Sequence, residues 1–313
     1  MTNRHAPIIT PAPVEKETAV PQPSVDCVWD LGALLGEGPL WRDGALWFVD
    51  IKRHHVHRLD PATGARDTWQ APDQIGWVQP TADGRWLAGL KTGLAWFDPD
   101  RGAFTPWFDP EPDMPDNRLN DSTVDAQGRL WFGSMDDGER SDSGRLYRLD
   151  PHGRAVAAGP HCPITNGPVA SPEGTILYHV DTLARQVHRY DVSPLGDLSN
   201  GAILLEIPEG EGHPDGPTID SEGCLWIGLY GGWGARRYSP AGELMQHVAL
   251  PVANVTKIAF GGEDLRKAYA TTASKQLDAA ALAEQPLAGG LFSFRVDVPG
   301  LPASSVSIGI PTV

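Results

Sequence analysis

The chain repeats itself. "WRDGALWFVDI" (41–51), "TADGRWLAGLK" (81–91), "DAQGRLWFGSM" (125–135), "SPEGTILYHVD" (171–181) and "DSEGCLWIGLY" (220–230) share one plan: a polar turn with glycine, then an apolar run. A weaker sixth copy is "FGGEDLRKAYATT" (260–272). The turn glycines Gly44, Gly84, Gly128, Gly174, Gly223 and Gly262 follow one another at 40, 44, 46, 49 and 39 residues. A unit of that size cannot bury its own hydrophobic face and must stack on its neighbours. In the first copy, "GPLWR", "ALWFVDI", "HVHRLD" and "RDTWQ" are short strand candidates separated by turn residues. Asp-Gly between two apolar runs is a strong hairpin signal.

Four antiparallel strands per copy are the sequence form of a propeller blade, so the expected fold is an all-β, six-bladed β-propeller with four-stranded antiparallel blades. It is expected to span residues 26–300, between a disordered Pro-rich tail (1–25) and a C-terminal tail (301–313). "VDCVWD" near the start is expected to pair with the blade holding "LFSFRVDV" and close the ring. One helix is expected, around "QLDAAALAEQ" (276–285).

In a propeller, the first strand of each blade lines the central channel, so one fixed offset from the turn glycine recurs around the axis. Eight residues back lie Gly76, Asn120, Asn166, Asp215 and Asn254; in the first copy, one residue shorter, seven back is Glu37. Five of these six carry a side-chain oxygen. Three sit in the same motif: Glu-Gly-Pro at 37–39, Asn-Gly-Pro at 166–168 and Asp-Gly-Pro at 215–217. Converging carboxylates repel and are costly to desolvate unless positive charge sits among them. An all-oxygen set of Glu, Asp and Asn suits one divalent ion, Ca2+, Mg2+ or Mn2+, with Fe2+ and Zn2+ as softer candidates. The competing explanation is local: Asn and Asp are common where loops enter strands, bonding their own backbone.

Strand periodicity puts Arg118 on the same face as Asn120, where its fork of donors can meet a substrate oxygen. Asp121 should point the other way, to a structural hydrogen bond. Trp77 is read either as a wall of the channel mouth or as core. His54, His55 and His57 lie away from the ring and receive no site role. Asp136, Asp137 and Glu139 are read as a charged, solvated loop.

The formal net charge is −15 with no basic run, which argues against nucleic acid and against an anionic membrane surface. The start of the chain has no apolar stretch able to span a bilayer. Cys27, Cys162 and Cys224 are far apart and lack CxxC spacing, which points to a reducing compartment, the cytoplasm. No G-x-S-x-G motif or phosphate-cradling glycine loop is present, and no protein partner is implied.

"LGEGPLW", "NRLNDSTVDAQGRLWFGSM", "ITNGPVASPEG", "PDGPTIDSEGCLWIG" and "KIAFGGEDLRKAYATTA…QPLAGGLFSF" together resemble the gluconolactonase/regucalcin (senescence marker protein) family, and most closely its bacterial sugar-acid lactonases such as the xylonolactonases. The resemblance covers residues 26–300. It implies a single divalent metal on Glu37, Asn166 and Asp215, and substrate contacts at Arg118 and Asn120. A further acidic substrate residue of some members aligns near Gly138, where Asp137 or Glu139 is the substitute. The expected activity is metal-dependent opening of an aldonolactone, a pentono- or hexonolactone, to its aldonic acid, with Asp215 also the catalytic base. An esterase or phosphotriesterase of the same architecture, and a non-catalytic propeller pinned by its ion, stay open as alternatives.

Overall fold

The structure, a computed structural model, describes residues 22–308; most of the expected N-terminal tail lies outside them. It is almost entirely β, with one short helix, Ala279–Glu284, inside the window expected for it. Asp278 caps that helix by accepting from the Ala281 N–H at 2.8 Å.

Four consecutive copies form separate four-stranded antiparallel sheets. Their inner strands are Gly36–Arg42, Ile75–Pro80, Asn117–Val124 and Thr165–Ala170. The expectation of six such blades is corrected here. The propeller-like body has four four-stranded blades, and the remaining eight strands make one continuous sheet. In it the inner strands His213–Ile219 and Val255–Gly261 lie side by side in parallel and bridge at Gly216 and Lys257. The join is made between residues far apart in the chain: Gly216 has no side chain, and the Lys257 side chain packs into the space, its Cδ 2.7 Å from where a Cβ would lie. Spacing of turn glycines counts copies, but it carries no signal for whether two neighbours join.

The closure is as expected: Asp26–Trp29 pairs antiparallel with Leu291–Arg295 and forms the outer edge of the eight-stranded sheet. Burial falls from the axis outward. Ala45–Asp50, second in its sheet, is buried throughout, whereas the outermost Arg66–Gln70 is mostly exposed. Both faces of the second strand are covered. Leu46 and Phe48 pack with Ala259, Tyr269 and Leu291 on one side. Trp47 and Val49 pack with Ile75, Val78 and Ala88 on the other. Period-two alternation thus feeds two different wedges of core, and the strand reads as continuously apolar. Trp77 resolves to core: it is 1% exposed and its ring lies against Gly89.

Past the last strand the chain crosses the far ends of the inner strands. Ser221 N–H donates to Pro299 O (2.9 Å), Val306 N–H to Pro80 O (2.8 Å) and Ser307 N–H to Gly128 O (2.8 Å). Leu301–Ser304 line a cavity of about 340 Å3 at that end, with Leu40, Gln79, Ser122 and Phe260. Its one acid, Asp125, is occupied by its own turn and by Arg129, so the larger cavity is not where acids converge.

Two buried histidines give the fold an acid limit. Burial, then neighbouring His188, pushes His179 down to about 3; burial, then His55, pushes His57 down to about 4. Both are neutral when folded, while the unfolded chain protonates them near 6.5. Their contribution is complete above about pH 6.5 and is lost as pH falls through that value towards 4 and 3. The melting temperature is expected to drop steeply between pH 6.5 and 4, and His179→Leu to flatten that drop by on the order of 3 kcal/mol. Thermal melts of both proteins across this range check it; parallel pH curves would refute it.

Candidate active site

All the inner strands are irregular where they enter the opposite, open end of the channel. Glu37 pairs with Val49 but Leu40 with Trp47; Asn166 with Val180 but Val169 with Tyr178; Pro214 with Leu229 but Pro217 with Ile227. Two residues therefore face one, a bulge in each. This accounts for Glu-Gly-Pro and Asn-Gly-Pro, whose Gly and Pro are the bulged pair: proline gives no N–H to a ladder interrupted there, and Gly38 and Gly167 adopt φ of 56° and 74°, open to glycine. In Asp-Gly-Pro the bulged pair is Asp215 and Gly216, and Pro217 is back in register with Ile227. The bulge turns Glu37, Asn166 and Asp215 into the channel. The amides it frees are taken by acids: Gly38 N–H donates to Glu37 Oε2 (2.8 Å) and Gly167 N–H to Asp121 Oδ2 (2.9 Å).

Glu37, Arg118, Asn120, Asn166 and Asp215 meet in one pocket of about 240 Å3. Each is at most 6% exposed. Apolar walls come from Leu35, Met135, Ile164 and Leu183, and the rim from Glu139, His213, Tyr230 and Lys275. Two members of the expected ring are elsewhere. Gly76 brings no side chain, and its Cα abuts the Asn120 backbone. Asn254 is buried but faces two loops, accepting from Gly231 N–H (3.1 Å) and donating to Lys275 O (3.1 Å). Its partners lie 23 and 21 residues away in the chain, so the local-bond explanation does not describe Asn254 either.

The polar groups form a directed chain. Arg118 Nη1 donates to Asn120 Oδ1; Asn120 Nδ2 donates to Asn166 Oδ1 (2.9 Å) and Thr165 O (2.7 Å). Asn166 Nδ2 donates to Thr182 Oγ1 (2.8 Å). A guanidinium only donates, so it fixes which way both amides face.

Burial, and then the charge of Asp121, pushes the Glu37 carboxyl upward; burial, then Glu37 and Asp121, does the same to Asp215. Lys257, in the inner strand Val255–Gly261, pairs with Asp121 beneath them and partly offsets this for Glu37. Asp121 makes the structural hydrogen bonds expected of it, yet the bulge at Leu119–Ser122 leaves it close enough to act on both acids. Among the described residues no three of His, Cys, Asp and Glu converge as a metal cage. A third oxygen for a cation has to come from an amide, and Asn166 lines the same pocket. Two repelling carboxylates beside an oriented amide are a donor set that fits a hard divalent ion.

The acidic loop after Leu130–Asp136 is not a solvated one. Asp136 caps its turn, accepting from the N–H groups of Gly138, Arg140 and Ser141 at 2.9 Å. Asp137 binds Lys52, Gln74 and Arg118. Glu139 lines the pocket and pairs with Lys275. One signal for Lys257 was missed, a charge inside the otherwise uncharged strand "VTKIAFG"; of the partners of Asp137 only Arg118 is in its own copy, and Lys52 and Gln74, from other copies, left no local trace.

A propeller-like body with buried side-chain oxygens and one guanidinium at the open end of its channel defines a class of axial-pocket proteins. Residues 35–274 match the SMP-30/Gluconolactonase/LRE-like region, and the chain belongs to that family. It is 33% identical to a 6-deoxy-6-sulfogluconolactonase from Pseudomonas putida over 88% of this chain and 96% of that one. It is 35% identical to an L-arabinolactonase from Azospirillum brasilense over 82% and 87%. A solved calcium-binding protein, regucalcin, from Agrobacterium tumefaciens superposes with a TM-score of 0.87 at 26% identity, over 90% of this chain and 97% of that one.

Proposed function

We propose that this pocket opens a sugar lactone to its aldonic acid, with one divalent ion held by Glu37, Asn166 and Asp215. The observation that carries this is the meeting of two buried, mutually repelling carboxylates, an oriented amide and a buried guanidinium in one small cavity. That it occurs in a chain of this family, with relatives named as sugar lactonases, supports the substrate class. The volume, about 240 Å3, lies below the ~300–1,000 Å3 of pockets for drug-sized ligands and suits a single sugar ring.

When bound, the ion supplies positive charge that polarises the lactone carbonyl and favours ionisation of water. Asp215, its carboxyl already raised by burial and by Glu37, takes a proton as water oxygen bonds to the carbonyl carbon. It returns that proton to the ring oxygen as the ester C–O bond breaks. Arg118 holds a sugar oxygen and the negative charge developing in the transition state, while Asn120, its two amide hydrogens spent on Asn166 Oδ1 and Thr165 O, offers its Oδ1 to a sugar hydroxyl. Leu35, Met135, Ile164 and Leu183 keep bulk water from the acids.

Ca2+, Mg2+, Mn2+, Fe2+ and Zn2+ are the candidate ions. Its place is in sugar-acid metabolism, and Cys27, Cys162 and Cys224, all free thiols, suit a reducing cytoplasm. Among the described residues no helix is long and apolar enough to cross a membrane.

The test is acid release from a panel of pentono- and hexonolactones, above spontaneous opening. A chelator is expected to abolish it and one divalent ion to restore it. Metal-dependent melting with no hydrolysis of any lactone would refute the enzyme and favour an ion-pinned scaffold.

A further inference from the structure

The guanidinium of the pocket is held from behind. Arg118 Nε donates to Asp137 Oδ1 at 2.9 Å, and Nη1 is engaged by Asn120 Oδ1 and Leu119 O. Nη2 makes no hydrogen bond among the described residues, and Arg118 lines the cavity. Asp137 itself is not part of the cavity wall. Its carboxylate gathers Lys52 Nζ, Gln74 Nε2 (2.8 Å) and, at 3.9 Å, Lys91 Nζ, besides Arg118. Lys52 belongs to the first sheet's turn, Gln74 and Lys91 flank strands of the second, and Asp137 follows a strand of the third. Three neighbouring sheets therefore meet on one carboxylate. Against the upward push of partial burial, the hydrogen bonds from Lys52 and Gln74 and the charge of Arg118 hold it well below the usual range, so it stays ionised.

The geometry points to Asp137 as the positioning residue that sets the aim of Arg118 in lactone hydrolysis, and it rests on the function proposed above. A long, flexible side chain must be fixed before it can hold a substrate oxygen at a set place. Asp137 does this through the one guanidinium nitrogen that faces away from Asn120, leaving Nη2 for the substrate. Asn at 137 would keep the size but lose the charge, leaving three cations to repel one another and Arg118 free to swing.

The experiment is a double-mutant cycle with kcat and KM measured for the preferred lactone. Asp137→Asn is expected to lower kcat/KM by about 20-fold with Arg118 present, and by no more than about 2-fold in Arg118→Ala. A carboxylate that merely clasps the sheets would give equal losses in both backgrounds, and that result overturns the assignment. Asp137→Glu, which keeps the charge one methylene further out, is expected to lose less and to show the same dependence on Arg118. Should Asp137→Asn not fold, Asp137→Glu carries the cycle alone. Hydrolysis by the unsubstituted chain is read in the same assay: its absence overturns the function and this assignment with it, whereas equal losses overturn the assignment only.

Discussion

Asp215→Asn is expected to lower lactone hydrolysis by about 1,000-fold while the protein still takes up its ion. Asparagine keeps an oxygen at the same distance from the backbone, so the donor set loses charge but not a ligand atom. It loses the capacity to take a proton. Elemental analysis of the purified variant, beside its kcat, separates the two roles of this carboxyl. Unchanged hydrolysis with the ion bound would rule out Asp215 as base. Loss of both ion and activity would make it a ligand alone.

Lys257→Met is expected to be the most damaging single change to stability, by about 4 kcal/mol. Lys257 is the cation set against Asp121 at the floor of the pocket, and both are almost fully buried. Without it, Asp121 stands uncompensated beside Glu37 and Asp215. The loss should be largest in ion-free protein, where nothing else positive is close. Adding Asp121→Asn removes the orphaned charge and should recover about half of it. Denaturant melts of the two single variants and the double, with and without chelator, provide the measurement. A double variant as unstable as the sum of the singles would refute the pairing.

The four-stranded copies and the short helix were legible in the sequence because each rests on local chemistry, turn glycines and alternation, and the closing strand at Asp26–Trp29 because a ring of repeats has to close; the count of six separate blades was not. So was the gathering of Glu37, Arg118, Asn120, Asn166 and Asp215 in one pocket, since a fixed offset in a cyclic repeat is a fixed place in space. What escaped was non-local. The eight-stranded sheet is joined by the bridge between Gly216 and Lys257, forty-one residues apart. Asn254 has the right offset yet serves the loops at Gly231 and Lys275. Asp137 looked solvated because two of its three cations, Lys52 and Lys91, belong to other repeats, and the third, Arg118, is nineteen residues back. Period-two logic also ended at each bulge, which is why Asp121 came closer to the acids than alternation allows.

The clasp between Asp26–Trp29 and Leu291–Arg295 has a consequence for how the protein is born. Its two halves are separated by the whole of the propeller-like body and meet only after the residues between them have been synthesised. The same final sheet supplies Thr256, whose hydroxyl donates to Gly36 O (2.6 Å), next to Glu37. A nascent chain on the ribosome therefore holds Glu37 on an open flank, its backbone neighbour unmet, until Val255–Gly261 emerges. The flank of Glu37 waits for a hydroxyl 220 residues further on.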